Sequence, residues 1–224
     1  MIYKILENFP VDYFEQYKVE WLKHKEEIFD IHKTYKNNNW EGKQDFREES
    51  VRTDEDLFGK LIFFSESFFQ VCCRKKVIPQ KVYDDFGDFY AMTLFIAMPG
   101  RKDPLHIDST RSCAVNFPLV VDHDRSGIVI SKSDEATHLN KFVENTSGAS
   151  YPSWRDYAHD GKMKGHFQHQ PELTETNDVK KPIIFNTKLP HGGFNDSKEP
   201  RIILSIGYRQ DIVSALQNIN KNFH

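Results

Sequence analysis

Two periodicities divide the chain. Over residues 12 to about 32 the apolar positions recur at helical intervals, with Phe14, Tyr17, Trp21 and Ile28 on one face and Asp12 placed as an N-cap. A polar loop containing Asn37, Asn38, Asn39 and Gly42 follows. Leu57, Leu61, Phe64, Phe68 and Val71 again fall three and four apart. That spacing predicts a second core-packing helix from about Thr53 or Asp54, in a region that Pro79 ends. Residues 2–6 predict a short first strand. From Asp88 the pattern changes. Residues 89–98 form a nearly continuous apolar and aromatic run, suited to a strand buried on both faces. Further strands are predicted over 105–108, 113–121, 127–131, 182–186 and 201–208. The stretch Asp122 to Gly127 reads as a hairpin-type turn. Short strands at near-regular spacing argue for a sandwich or barrel. The chain therefore reads as mainly β with supporting helices. Residues 1–87 are expected to be mostly helical support and 88–210 the β core. Residues 132–181 break the rhythm: they are polar and mixed in charge, and predict an insertion over the opening of the barrel.

Composition narrows the class. The 224 residues suit one domain spanning 1–224 with a sizeable core. A formal net charge of -3 offers no basic field of the kind that nucleic acid or membrane surfaces attract. Neither partner is expected. Cys72 and Cys73 are adjacent and Cys113 stands alone, so no disulfide framework is expected and a reducing compartment is. With no signal-peptide core and no apolar run of transmembrane length, a soluble cytoplasmic protein is expected.

Candidate chemistry lies in two segments. In Leu105-His106-Ile107-Asp108, residues two apart on a strand face the same way, so His106 and Asp108 can aim at one point. If the segment carrying His191 is a neighbour in the sheet, the three form a two-histidine, one-carboxylate set. Such a set leaves positions open on a ferrous ion. Composition alone yields about one His-x-Asp triplet among ten histidines and 33 acids, so the conjunction carries the signal. Arg201 lies ten residues after His191 and opens an apolar run, where a buried charge requires an anion. Asn116 reads equally as a polar contact in the interior or as a strand asparagine bonded to backbone. Arg111 reads first as a surface arginine and second as a ligand for a substrate anion. His166 and His169 read as loop histidines without a third ligand, and Asp122-His123-Asp124 as a turn.

These residues resemble the motif of the iron(II)- and 2-oxoglutarate-dependent dioxygenases of the double-stranded β-helix (jelly-roll, cupin-like) fold. The motif is His-x-Asp, a distal histidine, and a basic residue about ten positions on, here His106, Asp108, His191 and Arg201. The resemblance covers about residues 88–210, and includes Asn116-Phe117-Pro118-Leu119 and Asn195. It implies a β-helix core with N-terminal helices packed on its larger sheet, and Fe(II) held by His106, Asp108 and His191. It also implies 2-oxoglutarate as cosubstrate, anchored at its far carboxylate by Arg201, and O2 as oxidant. Many members place serine or threonine two residues after the arginine; here that position is Ile203, and Ser205 follows two further on. Ser205 and Asn116 are the further candidate cosubstrate contacts. Retention of Asp108 implies hydroxylation or a related oxidation of a small molecule or peptide. The alternatives are a cupin-type metal enzyme without 2-oxoglutarate and a non-enzymatic β-barrel binding protein.

Overall fold

The structure is a computed structural model. It describes residues 1–39, 48–50, 57–65, 67–103, 105–106, 108, 110–121, 124–131, 142–144, 150–154, 157–158, 162–163, 173–177 and 181–224. In chain order the elements are β1 (Tyr3–Ile5), α1 (Glu15–Asn39), β2 (Glu48–Ser50), β3 (Phe58–Ser65), β4 (Phe68–Cys73), α2 (Gln80–Phe86), β5 (Ala91–Ala97), β6 (Leu105–His106), β7 (Cys113–Val120) and β8 (Ser126–Ser131). They continue with β9 (Phe142–Glu144), β10 (Ser150–Trp154), β11 (Tyr157–Ala158), β12 (Lys162–Met163), β13 (Leu173–Asn177), β14 (Ile183–Asn186), β15 (His191–Asn195), β16 (Arg201–Tyr208) and α3 (Ile212–Asn218).

Two antiparallel sheets hold the polar candidates. The larger has the order β1-β14-β7-β16-β5-β4-β3-β2 and the smaller β13-β8-β15-β6-β10-β9. β16 is the centre of the larger sheet, paired along most of its length with β5 on one side and β7 on the other. All eight of its residues are buried. Alternation sends Ile202, Leu204, Ile206 and Tyr208 to the outer face. There they join Met92, Leu94, Ile96, Val115 and Phe117 beneath Phe14, the residue before α1, Tyr17 and Trp21 of α1, and Phe86 of α2. Burying one aromatic of this size is worth about 1.5–3 kcal/mol, so the stripe explains why the helix lies where it does. The opposite phase of β16, with Arg201, Ile203, Ser205 and Gly207, turns inward. On that side Ala114 and Phe185 of the larger sheet pack against Ile128 and Ile130 of β8 in the smaller one.

The helical stripe, the short first strand and the buried run at β5 match expectation; α1 starts at Glu15, three residues after Asp12. Three expectations need correction. Residues 58–73 are not a helix but the hairpin β3–β4, which extends the larger sheet beside β5. In β4, Phe69, Val71 and Cys73 alternate with less buried residues at period two. A stretch this rich in phenylalanine satisfies helical spacing by coincidence, and its aromatic and β-branched residues pack best on a pleated surface. His191 lies on a strand beyond the predicted ones: it opens β15, which Gly192 and Gly193 disguise. The stretch after β7 is not a hairpin turn, because β7 and β8 belong to different sheets. Within 132–181, β13 pairs with β8 and β10 with β6, so that segment supplies outer strands of the smaller sheet. The rest of the expected cover lies outside the described residues, as do Asp122, His123, His166 and His169. α3, capped by the Asp211 carboxylate on the N–H groups of Val213 and Ser214, is an element the hydrophobic pattern did not announce. No described helix is long and apolar enough to cross a membrane.

Candidate functional site

His191 begins β15, and its strand lies between β8 and β6. The residue opposite it on β6 is His106. The His106 side chain lies outside the described residues; its backbone register places the two histidines abreast. His191 Nδ1 is 2.9 Å from the Leu189 carbonyl. A carbonyl only accepts, so Nδ1 carries the proton and Nε2 of the neutral ring keeps its lone pair. That Nε2 is 3.8 Å from Asp108 Oδ2. The ring meets Phe185 edge-on, 5.2 Å between centroids, which fixes its plane.

Asp108 is held by its backbone. Its N–H donates to the Thr187 carbonyl at 3.0 Å, and Lys188 Nζ donates to its carbonyl at 2.7 Å. Thr187 is fully buried and works as a clasp. Its N–H reaches the Ser112 carbonyl at 3.1 Å, and its hydroxyl donates to the Arg111 carbonyl at 2.8 Å. Ser112 N–H in turn donates to the Tyr208 carbonyl at 2.7 Å. Asp108, Arg111 and Ser112 are thereby clamped between the turn before His191 and the end of β16. Nothing in the sequence distinguished Thr187 from other turn threonines.

Among the described residues no three histidine, cysteine or acidic side chains gather at one point. Asp108 and His191 supply two donors, and the third of the expected set, His106, is abreast of His191. Ligand atoms lie about 2.1 Å from a small divalent ion. Atoms 3.8 Å apart can therefore both reach one ion. The proton on Nδ1, shared with a carbonyl, is the usual outer support of a ligating imidazole. The donor chemistry of these residues fits a divalent metal.

Inward from this corner the larger sheet presents a polar row. Ser205 of β16 is in register with Asn116 of β7 and Thr93 of β5. Among the described residues Asn116 Oδ1 is buried with no hydrogen-bond partner, so this oxygen is not bonded to their backbone. Four residues along β16 is Arg201, only 6% exposed. Opposite Arg201 is Gly193 of β15. A Cβ there would lie 3.3 Å from an Arg201 guanidinium nitrogen and 3.0 Å from Asp103 Oδ2. Asp103 is buried; it accepts from Arg101 Nε at 2.6 Å and from Gly193 N–H at 3.3 Å. Sequence reasoning missed this acid, since Arg101-Lys102-Asp103-Pro104 reads only as a loop.

Arg111 is the largest departure. It is not a surface arginine: its side chain is 18% exposed and enters the interior. Its Nε donates to Asp108 Oδ2, one of its terminal nitrogens donates to Ser205 Oγ at 3.2 Å, and its guanidinium lies 5.2 Å from the centre of the Phe95 ring. Ser205 therefore contacts Arg111, a partner no local pattern signalled. Asn195 is structural. It is fully buried, its Nδ2 donates to the Ala97 and Glu199 carbonyls, and its Oδ1 accepts from Ser197. Burial pushes the Cys113 thiol up to about 12, so it is a neutral wall residue rather than a nucleophile. None of Cys72, Cys73 and Cys113 is in a disulfide.

No protein-family model matches this chain, and no curated protein does. Solved structures do. A prolyl-4-hydroxylase from Pseudomonas putida aligns over 93% of this chain and 91% of its own, at 11% identity and a TM-score of 0.44. The epimerase SnoN, solved with Fe3+, alpha-ketoglutarate and nogalamycin RO, aligns over 80% of this chain and 72% of its own, at 8% identity and a TM-score of 0.43. Oxalate decarboxylase from Bacillus subtilis aligns over 66% of this chain at 14% identity and a TM-score of 0.33. This chain spans about a quarter of that decarboxylase, the match covering 26% of it. All three scores lie below 0.5, so these likenesses assign no chemistry, and the chain's own residues must carry it.

Proposed function

We propose that this chain is an iron(II)- and 2-oxoglutarate-dependent oxygenase that hydroxylates an unactivated C–H of an amino acid, peptide or small metabolite. The observation that carries the reading is the corner formed by His191 and Asp108. There an imidazole with its lone pair on Nε2 lies 3.8 Å from a carboxylate, abreast of His106. His106, Asp108 and His191 would hold the iron, which with cosubstrate and oxygen supplies the oxidation. Arg201, buried on the inward phase of the same sheet, would hold the far carboxylate of 2-oxoglutarate with its planar fork. Asn116, whose Oδ1 is buried without a partner, would bond the cosubstrate or a water beside it. Ser205 lies between these groups and steadies Arg111.

Titration of the protein with iron(II) and 2-oxoglutarate without oxygen tests the reading. A weak visible charge-transfer band, which requires both at one ion, is expected; its absence with both ligands in excess removes the reading. One observation favours a second reading, a cupin-type metal enzyme that does not use 2-oxoglutarate. Asp103 puts a carboxylate against the same glycine as Arg201, where it would oppose an incoming anion. Iron binding without the band would support that reading.

A further inference from the structure

We propose that Arg111 receives a carboxylate of the substrate, so that the substrate class is a carboxylic acid. The inference rests on the oxygenase reading and names the substrate class of that site. The guanidinium is held on three sides: by Asp108, by Ser205 Oγ at 3.2 Å and by the face of Phe95 at 5.2 Å. A Cβ on Gly207 would lie 3.2 Å from Arg111 Cδ, so the stem rests on a position kept free of a side chain. An arginine so immobilised has already lost the rotamer freedom that binding would otherwise cost.

Its hydrogen bonding is incomplete. A guanidinium has five N–H donors. Arg111 gives one to Asp108 and one to Ser205. The remaining three meet no acceptor among the described residues, and the side chain is open to solvent at 18%. That edge can take a carboxylate in bidentate geometry.

Charge points the same way. In the metal-free protein Asp108 balances Arg111. A dication shared by Asp108 and the histidines would take over that carboxylate, and the positive charge of Arg111 would then lose its counter-ion. A substrate anion neutralises it. Because the guanidinium touches a proposed metal ligand, a carboxylate on its open edge would lie near the metal that Asp108 would hold. The C–H within reach is then close to that carboxylate, as at the α or β carbon of an amino acid. The interior of a peptide chain without acidic side chains offers no such group.

The test uses the whole chain with iron(II) and 2-oxoglutarate in excess and no oxygen, titrated calorimetrically. The probes are the common amino acids, short aliphatic acids and short peptides with free C-termini, each beside its neutral amide. At least one acid is expected to bind at least about tenfold more tightly than its amide, the loss of a charge-assisted contact being worth that much or more. Peptides binding where free acids do not would assign the carboxylate to a chain terminus or acidic side chain. Arg111→Met is expected to abolish the acid's advantage while the charge-transfer band persists, and Arg111→Lys to restore part of it. If Arg111→Met loses the band, the acid–amide comparison on the unaltered protein decides. A band without any preference for acids over amides, or an equal preference in Arg111→Met, overturns the assignment. Absence of the band in the unaltered protein overturns the oxygenase reading and this assignment with it.

Discussion

Two arginines enter the space between the sheets, each against a glycine, and they are held by different means. Arg201 is carried on the central strand β16 and faces Gly193 across the sheets. Strand alternation alone turns it inward. Arg111 is carried on a loop and lies on Gly207, at the other end of β16. Its direction is imposed by contacts remote in sequence, namely Thr187 and Ser205, together with the nearby Asp108. The strand-borne arginine is nearly sealed, at 6% exposure, whereas the loop-borne one keeps an open edge. On the proposed reading, the difference teaches that a fixed cosubstrate and a variable substrate call for different scaffolds. A rigid strand suits the first, and a clamped loop that presents unused donors suits the second.

The comparison can be broken most sharply at Arg201. Arg201→Met should leave iron affinity nearly intact and weaken 2-oxoglutarate by roughly a hundredfold, the typical loss for a charge-assisted bidentate contact. Arg201→Lys should recover part, because an ammonium lacks the planar fork. Equal 2-oxoglutarate binding in Arg201→Met and the unaltered protein, measured calorimetrically without oxygen, would dissolve the distinction between the two arginines.

The glycines give a subtler pair. Gly193→Ala puts a methyl 3.0 Å from Asp103 Oδ2 and 3.3 Å from Arg201, so it should weaken 2-oxoglutarate by about tenfold or less through a small displacement. Gly207→Ala meets Arg111 Cδ at 3.2 Å instead, and should leave 2-oxoglutarate binding unchanged while reducing the preference for acids over amides. If both alanines affect the same ligand, the two anion positions are not separate. The smallest effect is expected at the clasp. Thr187→Val keeps the shape but removes the 2.8 Å hydrogen bond to the Arg111 carbonyl. A lost buried hydrogen bond costs about 1 kcal/mol, or about 2–4 °C in the thermal midpoint of a chain this size. The loss should loosen Arg111 and spare Arg201. A fall in 2-oxoglutarate affinity would show that the clasp supports both.

Local pattern determined much of the frame. The apolar run ending in Tyr208 delimited β16 at both ends, and the stripe Phe14, Tyr17, Trp21 and Ile28 identified the helix that covers the larger sheet. Alternation on β16 put Arg201 and Ser205 on one face, and the same rule grouped His106 with Asp108 as candidates. Each of these depends only on the direction of a side chain relative to its own backbone, which neighbours in sequence specify. Tertiary structure decided the rest. The hairpin β3–β4 satisfied two periods at once, and only pairing with β5 selected the strand. The glycines of β15 concealed a strand that exists through its partners β8 and β6. Arg111 meets Ser205 across 94 positions of chain, and Asp103 meets Gly193 across 90. Such contacts arise from the register in which distant strands pair. Register is a property of the assembled sheets, so the residues that surround the two arginines became visible only when the sheets were in place.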